Sequence, residues 1–131
     1  MPKVFYFGRW GRSGHQLWTP DCDWADRREL PYELQSIDGI FCGDPRLCDR
    51  PDRWPNDIEH QPEGQARLHH LGGWTVLAFW DRSADLRFGA NSAFLAEGTH
   101  TAQQMVELAE QTFPRVWARI TGAFRVTLPA A

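Results

Sequence analysis

The stretch that most limits the possible folds of this chain is an apolar run at residues 74–80, interrupted only by Thr75. Gly72 and Gly73 precede it, and residues 65–71 form another strand-like run before them. A Gly-Gly pair between two such runs suits the two-residue turn of an antiparallel hairpin. Because a strand that is apolar along its length has no water-facing side, we expect residues 74–80 to be covered on both faces, for instance by a helix and by the Trp-rich loop region.

Further segments have the length and composition of strands. The glycine-rich residues 8–14 supply the turn chemistry for a first hairpin between two of them. The predicted strands are residues 3–7, 15–18 and 92–96, with residues 124–128 as a last one.

A helix is predicted after residue 101. Thr101 and Gln104 match a capping box, in which each side chain accepts a hydrogen bond from the other residue's backbone N–H. Apolar residues then recur at helical spacing as far as Ile120, but Pro114 removes a backbone donor, so we expect a kink or a fresh helix there. Hairpin-linked strands with a C-terminal helix packed on one face predict a small α+β domain with an antiparallel sheet, spanning residues 1–131.

The first half of the chain has less regular patterning. Residues 31–37 begin with Pro31 and favour a short helix. Residues 44–64 are rich in proline and acidic groups and predict a long surface loop, and loops of that length are often functional or mobile.

Charge is distributed unevenly. The net charge is −3, whereas residues 21–63 carry twelve Asp or Glu against five Arg, which sums to −7. This acidic region disfavours direct binding of nucleic acid and permits docking on a basic protein. The alternative is that these acids only keep the loop region solvated.

The cysteines and histidines do not predict a metal site. Cys22, Cys42 and Cys48 are odd in number and lack the spacing of a zinc knuckle. The neighbouring His69 and His70 would point to opposite faces of a strand. No segment has the length of a membrane span or the apolar core of a signal peptide, so we expect a cytoplasmic protein without metal or cofactor.

The candidate functional residues cluster where the apolar run ends. They are Trp80, Asp81, Arg82, Asp85, Arg87 and Asn91. One interpretation is a polar connection with internal ion pairs, in which Asn91 and Ser92 are turn residues. The other is a contact surface for a partner, because Trp and Arg are the preferred anchors of binding interfaces.

An enzymatic interpretation rests on the same segment. An acid/base pair could come from Asp81, Asp85, Glu97, His69, His70 and His100, and Ser83 or Ser92 could be a nucleophile. The sequence has none of the motifs that accompany such chemistry, so we assign no catalytic residue and expect a protein that is not an enzyme.

Several stretches carry a resemblance to a known family. They are GRSGHQLWTP, LPYELQSIDGIFC, QARLHHLGGWTVLAFWDRSADLR with NSAFLAEG, and FPRVWARI. With these elements the chain resembles small uncharacterised proteins of tailed bacteriophages and prophages of proteobacteria, a family without a settled activity. The resemblance implies a phage context and no mechanism.

Small phage proteins without catalytic motifs are often inhibitors of host proteins. The expected function is therefore that of a non-enzymatic binder, most concretely an anti-CRISPR or similar anti-defence inhibitor. Its expected partner is a host protein, such as a basic nucleic-acid-handling or defence complex. The alternatives are a small hydrolase or nuclease using Asp81, Asp85 and a histidine, and a virion or morphogenesis component.

Overall fold

The structure is a computed structural model. It describes residues 1–8, 15–21, 23–36, 39–40, 66–81, 90–123 and 128, with the backbone alone at 79–81, 90–91 and 122–123. Its strands are β1 (Val4–Gly8), β2 (Gln16–Trp18), β3 (Trp24–Ala25), β4 (Ala66–Leu71), β5 (Trp74–Asp81) and β6 (Ala90–Glu97). Two 3₁₀ turns, Arg27–Glu29 and Tyr32–Leu34, follow β3, and two helices, α1 (Ala102–Thr112) and α2 (Pro114–Ala123), follow β6.

The six strands form one antiparallel sheet in the order β3-β2-β1-β6-β5-β4. The predicted hairpins β1–β2 and β4–β5 are both present. Gly72 and Gly73 connect β4 to β5 with φ angles of 63° and 79°. Positive φ at both positions is what a type I′ turn requires, and only glycine adopts it without a steric penalty.

One face of the sheet, here called the helix face, is covered by α1 and α2. Tyr6, Leu77 and Phe94 lie on it and are fully buried. The helices contribute residues at helical spacing: Met105, Ala109, Phe113, Val116 and Ile120. This amphipathic stripe packs on the sheet because burying it removes apolar surface from water.

The opposite face, here called the turn face, is covered by chain with little regular structure. Val76 of β5 lies on it, buried beneath Leu34 of the second 3₁₀ turn and its neighbours Leu30 and Ile40. Residues 74–78 of β5 are therefore buried on both faces of the sheet, as the apolar run predicts. The predicted short helix at residues 31–37 is a 3₁₀ turn that begins after Pro31.

The C-terminal helices confirm the capping box and the break. The Gln104 N–H donates to the Thr101 hydroxyl (3.1 Å), and the Thr101 N–H donates to the Gln104 side-chain oxygen (2.9 Å). Helix α1 ends at Thr112, and Phe113 has non-helical angles (φ −129°, ψ 62°) before Pro114 begins α2. A fresh helix starts at the proline because proline needs no N–H partner in a first turn.

Several predictions concern residues outside those described. They are the loop at 44–64, the last strand at 124–128 apart from residue 128, and the three cysteines. Within the described parts of the chain, no helix is both long enough and apolar enough to cross a membrane.

Candidate functional site

The β5–β6 hairpin positions part of the predicted contact surface. The last two residue pairs of the hairpin ladder are Trp80 opposite Asn91 and Asp81 opposite Ala90. Residues opposite one another in such a ladder have Cα atoms about 4.5–5.5 Å apart. Trp80, Asp81 and Asn91 thus lie together at one end of the sheet, here called the hairpin end, while Arg82, Asp85 and Arg87 are outside the described residues.

The prediction that Asn91 and Ser92 are turn residues is wrong. Strand β6 begins at Ala90, and both residues belong to its ladder. The Ser92 side chain is 1 % exposed, and its hydroxyl lies 3.0 Å from the Tyr6 hydroxyl. Ser92 is accommodated in the core because its hydroxyl has a buried polar partner on β1.

This polar contact continues to the second helix. Arg119 of α2 donates from Nη2 to the Tyr6 hydroxyl at 3.1 Å, which joins β1, β6 and α2 behind the hairpin end. Tyr6 itself is fully buried, and a Cβ at position 8 would overlap its hydroxyl, so Gly8 is needed for this close approach. A nucleophilic role for Ser92 conflicts with its burial, since no substrate could reach it without rearrangement of the core.

The opposite end of the sheet contains His70 and His100. The Thr75 hydroxyl donates to the Gly98 carbonyl (2.7 Å) and accepts from the His100 N–H (3.0 Å). The His100 ring nitrogen Nε2 lies 2.8 Å from the Glu97 carbonyl, and Nε2 of His70 lies 2.9 Å from the His100 carbonyl. Because a carbonyl oxygen only accepts, both rings carry hydrogen on Nε2 and stabilise the chain between β6 and α1.

This placement separates the histidines from Asp81. His70 lies opposite Thr75, six residues before Asp81 in the same strand, which corresponds to about 20 Å. His69 lies opposite Val76, one residue closer. The sheet therefore does not place Asp81 close to His69 or His70, as the enzymatic interpretation requires. Across the described ranges, no three His, Cys, Asp or Glu side chains are grouped so as to hold a metal ion.

Two large aromatic side chains are exposed in the first half. Trp24 of β3 is 67 % exposed and Tyr32 is 87 % exposed. The sequence gives no signal for the exposure of Trp24, because it depends on the sheet order that places β3 at an edge.

Arg27 and Arg28, which lie between these aromatics in the sequence, both make side-chain contacts. Arg28 donates to the Asp26 carboxylate at 2.6 and 2.9 Å, and these bonds lower the pKa of Asp26 and raise that of Arg28. Arg27 lies over the ring of Phe7, 4.8 Å from its centre, and burial lowers the pKa of its guanidinium.

A groove of about 310 Å³ lies on the helix face. One wall is the chain between β2 and β3, at Pro20 and Asp21, and the other is the junction of α1 and α2, at residues 112–116. Phe113 and Val116 are almost fully buried and form an apolar base, whereas Asp21 and Arg115 are exposed.

Comparison with known proteins gives no relative for the chain. No family model matches it, and neither does a curated protein or a solved structure.

Proposed function

We propose that this chain is a phage-encoded, non-enzymatic binding protein that inhibits a host protein, in its most concrete form an anti-CRISPR or similar anti-defence inhibitor. The observation that supports this most directly is the register of β5 with β6. It holds Trp80 next to Asn91 and beside Asp81 at the end of a sheet whose core is closed on both faces. A tryptophan next to polar residues is the composition typical of a binding hot spot.

The position of the histidines favours binding over hydrolysis. His70 and His100 hydrogen-bond backbone carbonyls at the end of the sheet opposite Asp81. Their rings therefore have a structural use that accounts for their presence. The hydrolase or nuclease alternative would need a histidine close to Asp81.

The charge distribution supports a basic partner. Residues 21–63 carry a net charge of −7, and the described acids among them include exposed Asp21, Asp23, Glu29 and Glu33. A negative surface accelerates association with a positive one, and salt screens the effect. The partner we propose is a basic host protein, such as a nucleic-acid-handling or defence complex. The phage context itself comes from the sequence resemblance.

The test is affinity purification of the tagged protein from a proteobacterial host. We expect a host protein or defence complex to be recovered, and the variant Trp80→Ala/Arg82→Ala/Arg87→Ala to bind it at least about 30-fold more weakly, since hot-spot truncations cost about 2 kcal/mol or more. The control is Tyr32→Ala/Arg28→Ala, which removes an aromatic and an arginine that are both exposed, and it should retain affinity.

Two outcomes would overturn the proposal. One is unchanged affinity of the triple variant with an unchanged circular dichroism spectrum. The other is recovery of the protein only with assembled virions, which would make it a structural component. If the association rate hardly changes between low and high salt, the acidic residues do not steer binding. The hairpin end would then remain the proposed contact.

A further inference from the structure

The edge of the sheet at β3 has an open backbone. Strand β3 is the outermost strand on its side and pairs only with β2 in the described sheet. The Thr19 N–H donates to the Asp23 carbonyl at 2.7 Å, so these two residues form a hydrogen-bonded pair. Such pairs alternate with non-hydrogen-bonded ones along an antiparallel ladder. The next pair, Trp18 with Trp24, is therefore non-hydrogen-bonded, and the N–H and carbonyl of Trp24 point outward from the sheet.

The side chain of Trp24 lies beside this open backbone. Residues opposite one another share a face, and Trp18 belongs to the core of the helix face, so Trp24 lies on that face as well. Its 67 % exposure leaves most of the indole available for contact. An outward-facing backbone next to an exposed aromatic ring is the arrangement used when a peptide adds a strand to a sheet.

The groove on the helix face adjoins this edge in sequence and in space. Asp21, two residues before Asp23, forms part of its wall, and Phe113 and Val116 form its apolar base. A long side chain of an added strand could lay its alkyl stem along this base. Lys and Arg pack in this way while their charged ends stay in water.

The charges at this edge favour a partner with a positively charged side chain. Asp21 and Asp23 are both exposed, whereas the nearby Asp26 is already neutralised by Arg28. Arg27 lies over Phe7 on the other face and does not offset them. Arg115 also lines the groove, and its charge opposes that of an incoming cation.

A second copy of the chain fits this edge less well than a basic segment. A two-fold pairing centred on Trp24 would set Asp23 of each copy opposite Ala25 of the other, so Asp23 would gain no cationic partner. A basic segment supplies a cation at that position, and opposite charges across a sheet stabilise the pairing. The strand itself is only two residues long, so a pairing of two copies would have few backbone hydrogen bonds and no such charge contact.

We propose that the β3 edge and the adjoining groove bind an extended, basic segment of another protein. The segment pairs its backbone with Trp24, packs on the indole, and places a lysine or arginine along the groove with its charge next to Asp21. This surface is separate from the hairpin end, and the proposal holds whichever partner the hairpin end binds.

The probe is a fluorescent nine-residue peptide of alternating lysine and valine, measured by fluorescence anisotropy against the full chain. We expect it to bind at least about 10-fold more tightly than a glutamate–valine peptide. It should also bind more tightly than a lysine–valine peptide that is N-methylated at alternate residues, because that control keeps the charge and lacks the backbone donors. Hydrogen exchange at the Trp24 amide should slow in the complex.

Variants of equal charge separate a local contact from general attraction. Asp21→Asn/Asp23→Asn and Glu29→Gln/Glu33→Gln each change the net charge from −3 to −1, because each removes two acids. We expect about 10-fold weaker binding only for the first pair, and tighter binding for Arg115→Ala. Because all of these residues are exposed, the variants should fold.

Several results would overturn this proposal. They are equal losses in the two paired variants, equal binding of the N-methylated peptide, no binding by any peptide, or Trp24-dependent self-association in sedimentation. None of them bears on the capture of a host protein through Trp80, so the two proposals fail separately.

Discussion

The two faces of the sheet are equally buried but are covered by different kinds of chain. On the helix face, Phe94 packs against Tyr6, Phe113 and Trp117, with ring centres 5.3, 6.1 and 6.0 Å away, beneath two regular helices. On the turn face, Leu34 is equally inaccessible to solvent but comes from a three-residue 3₁₀ turn. Residues with little regular structure, Leu30, Leu34 and Ile40, therefore belong to the core as fully as the helices do.

The largest expected effect tests whether the helices on the helix face and the 3₁₀ segment on the turn face unfold in one transition. Phe94→Ala should lower the free energy of unfolding by about 3–5 kcal/mol, and Leu34→Ala by about 2–5 kcal/mol, because each leaves a cavity in a buried cluster. Urea denaturation followed by tryptophan fluorescence and by circular dichroism measures both. A loss below about 1 kcal/mol for Leu34→Ala, or transitions that differ between the probes, would mean that the turn-face cover is attached loosely.

A smaller effect tests the contact between the turn-face cover and the β4–β5 hairpin. Alanine at Gly72 or Gly73 incurs a similar penalty for positive φ, about 1–2 kcal/mol. Only at Gly72 would the added Cβ also collide with Pro31, at 2.7 Å, whereas at Gly73 it meets open space. Gly72→Ala should therefore destabilise more than Gly73→Ala in the same denaturation assay. Equal losses would show that the segment at Pro31 shifts freely.

The smallest effect concerns the exposed ion pair that begins the turn-face cover. The hydrogen bonds from Arg28 hold the pKa of Asp26 below its usual range. Because this pKa is lower in the folded chain, the pair stabilises the fold at neutral pH, and its contribution fades as the pH falls below about 4. In a carboxyl NMR titration, Arg28→Gln should raise the Asp26 midpoint. An unchanged midpoint would show that the pair is not populated in solution.

The sequence was sufficient to predict the elements whose signals are local. The Gly72-Gly73 turn, the doubly covered β5, the capping box of Thr101 and the break at Pro114 all depend on neighbouring residues, and the structure has each of them. The sequence also predicted that a loop region covers the second face, but it did not identify Leu30 and Leu34 as anchors, because they follow no helical or alternating period.

The candidate site was predictable only in part. The apolar run ending at Asp81 located the hairpin end, but the strand start at Ala90 was missed because it depends on pairing rather than on composition. The Tyr6–Arg119 contact joins residues 113 positions apart, and no spacing rule reaches that far. The exposure of Trp24 follows from the strand order, which a single sequence does not provide.

The sheet order also has a consequence for how the chain acquires its structure during synthesis. Strand β6 is the last of the described strands to be made, yet it lies in the interior of the sheet, between β1 and β5. Until residues 90–97 have left the ribosome, the β1–β2 and β4–β5 hairpins have no strand to join them, and both expose unpaired backbone and apolar faces. The nascent chain therefore passes through an interval in which unpaired strand edges favour aggregation, and this interval closes only when β6 inserts.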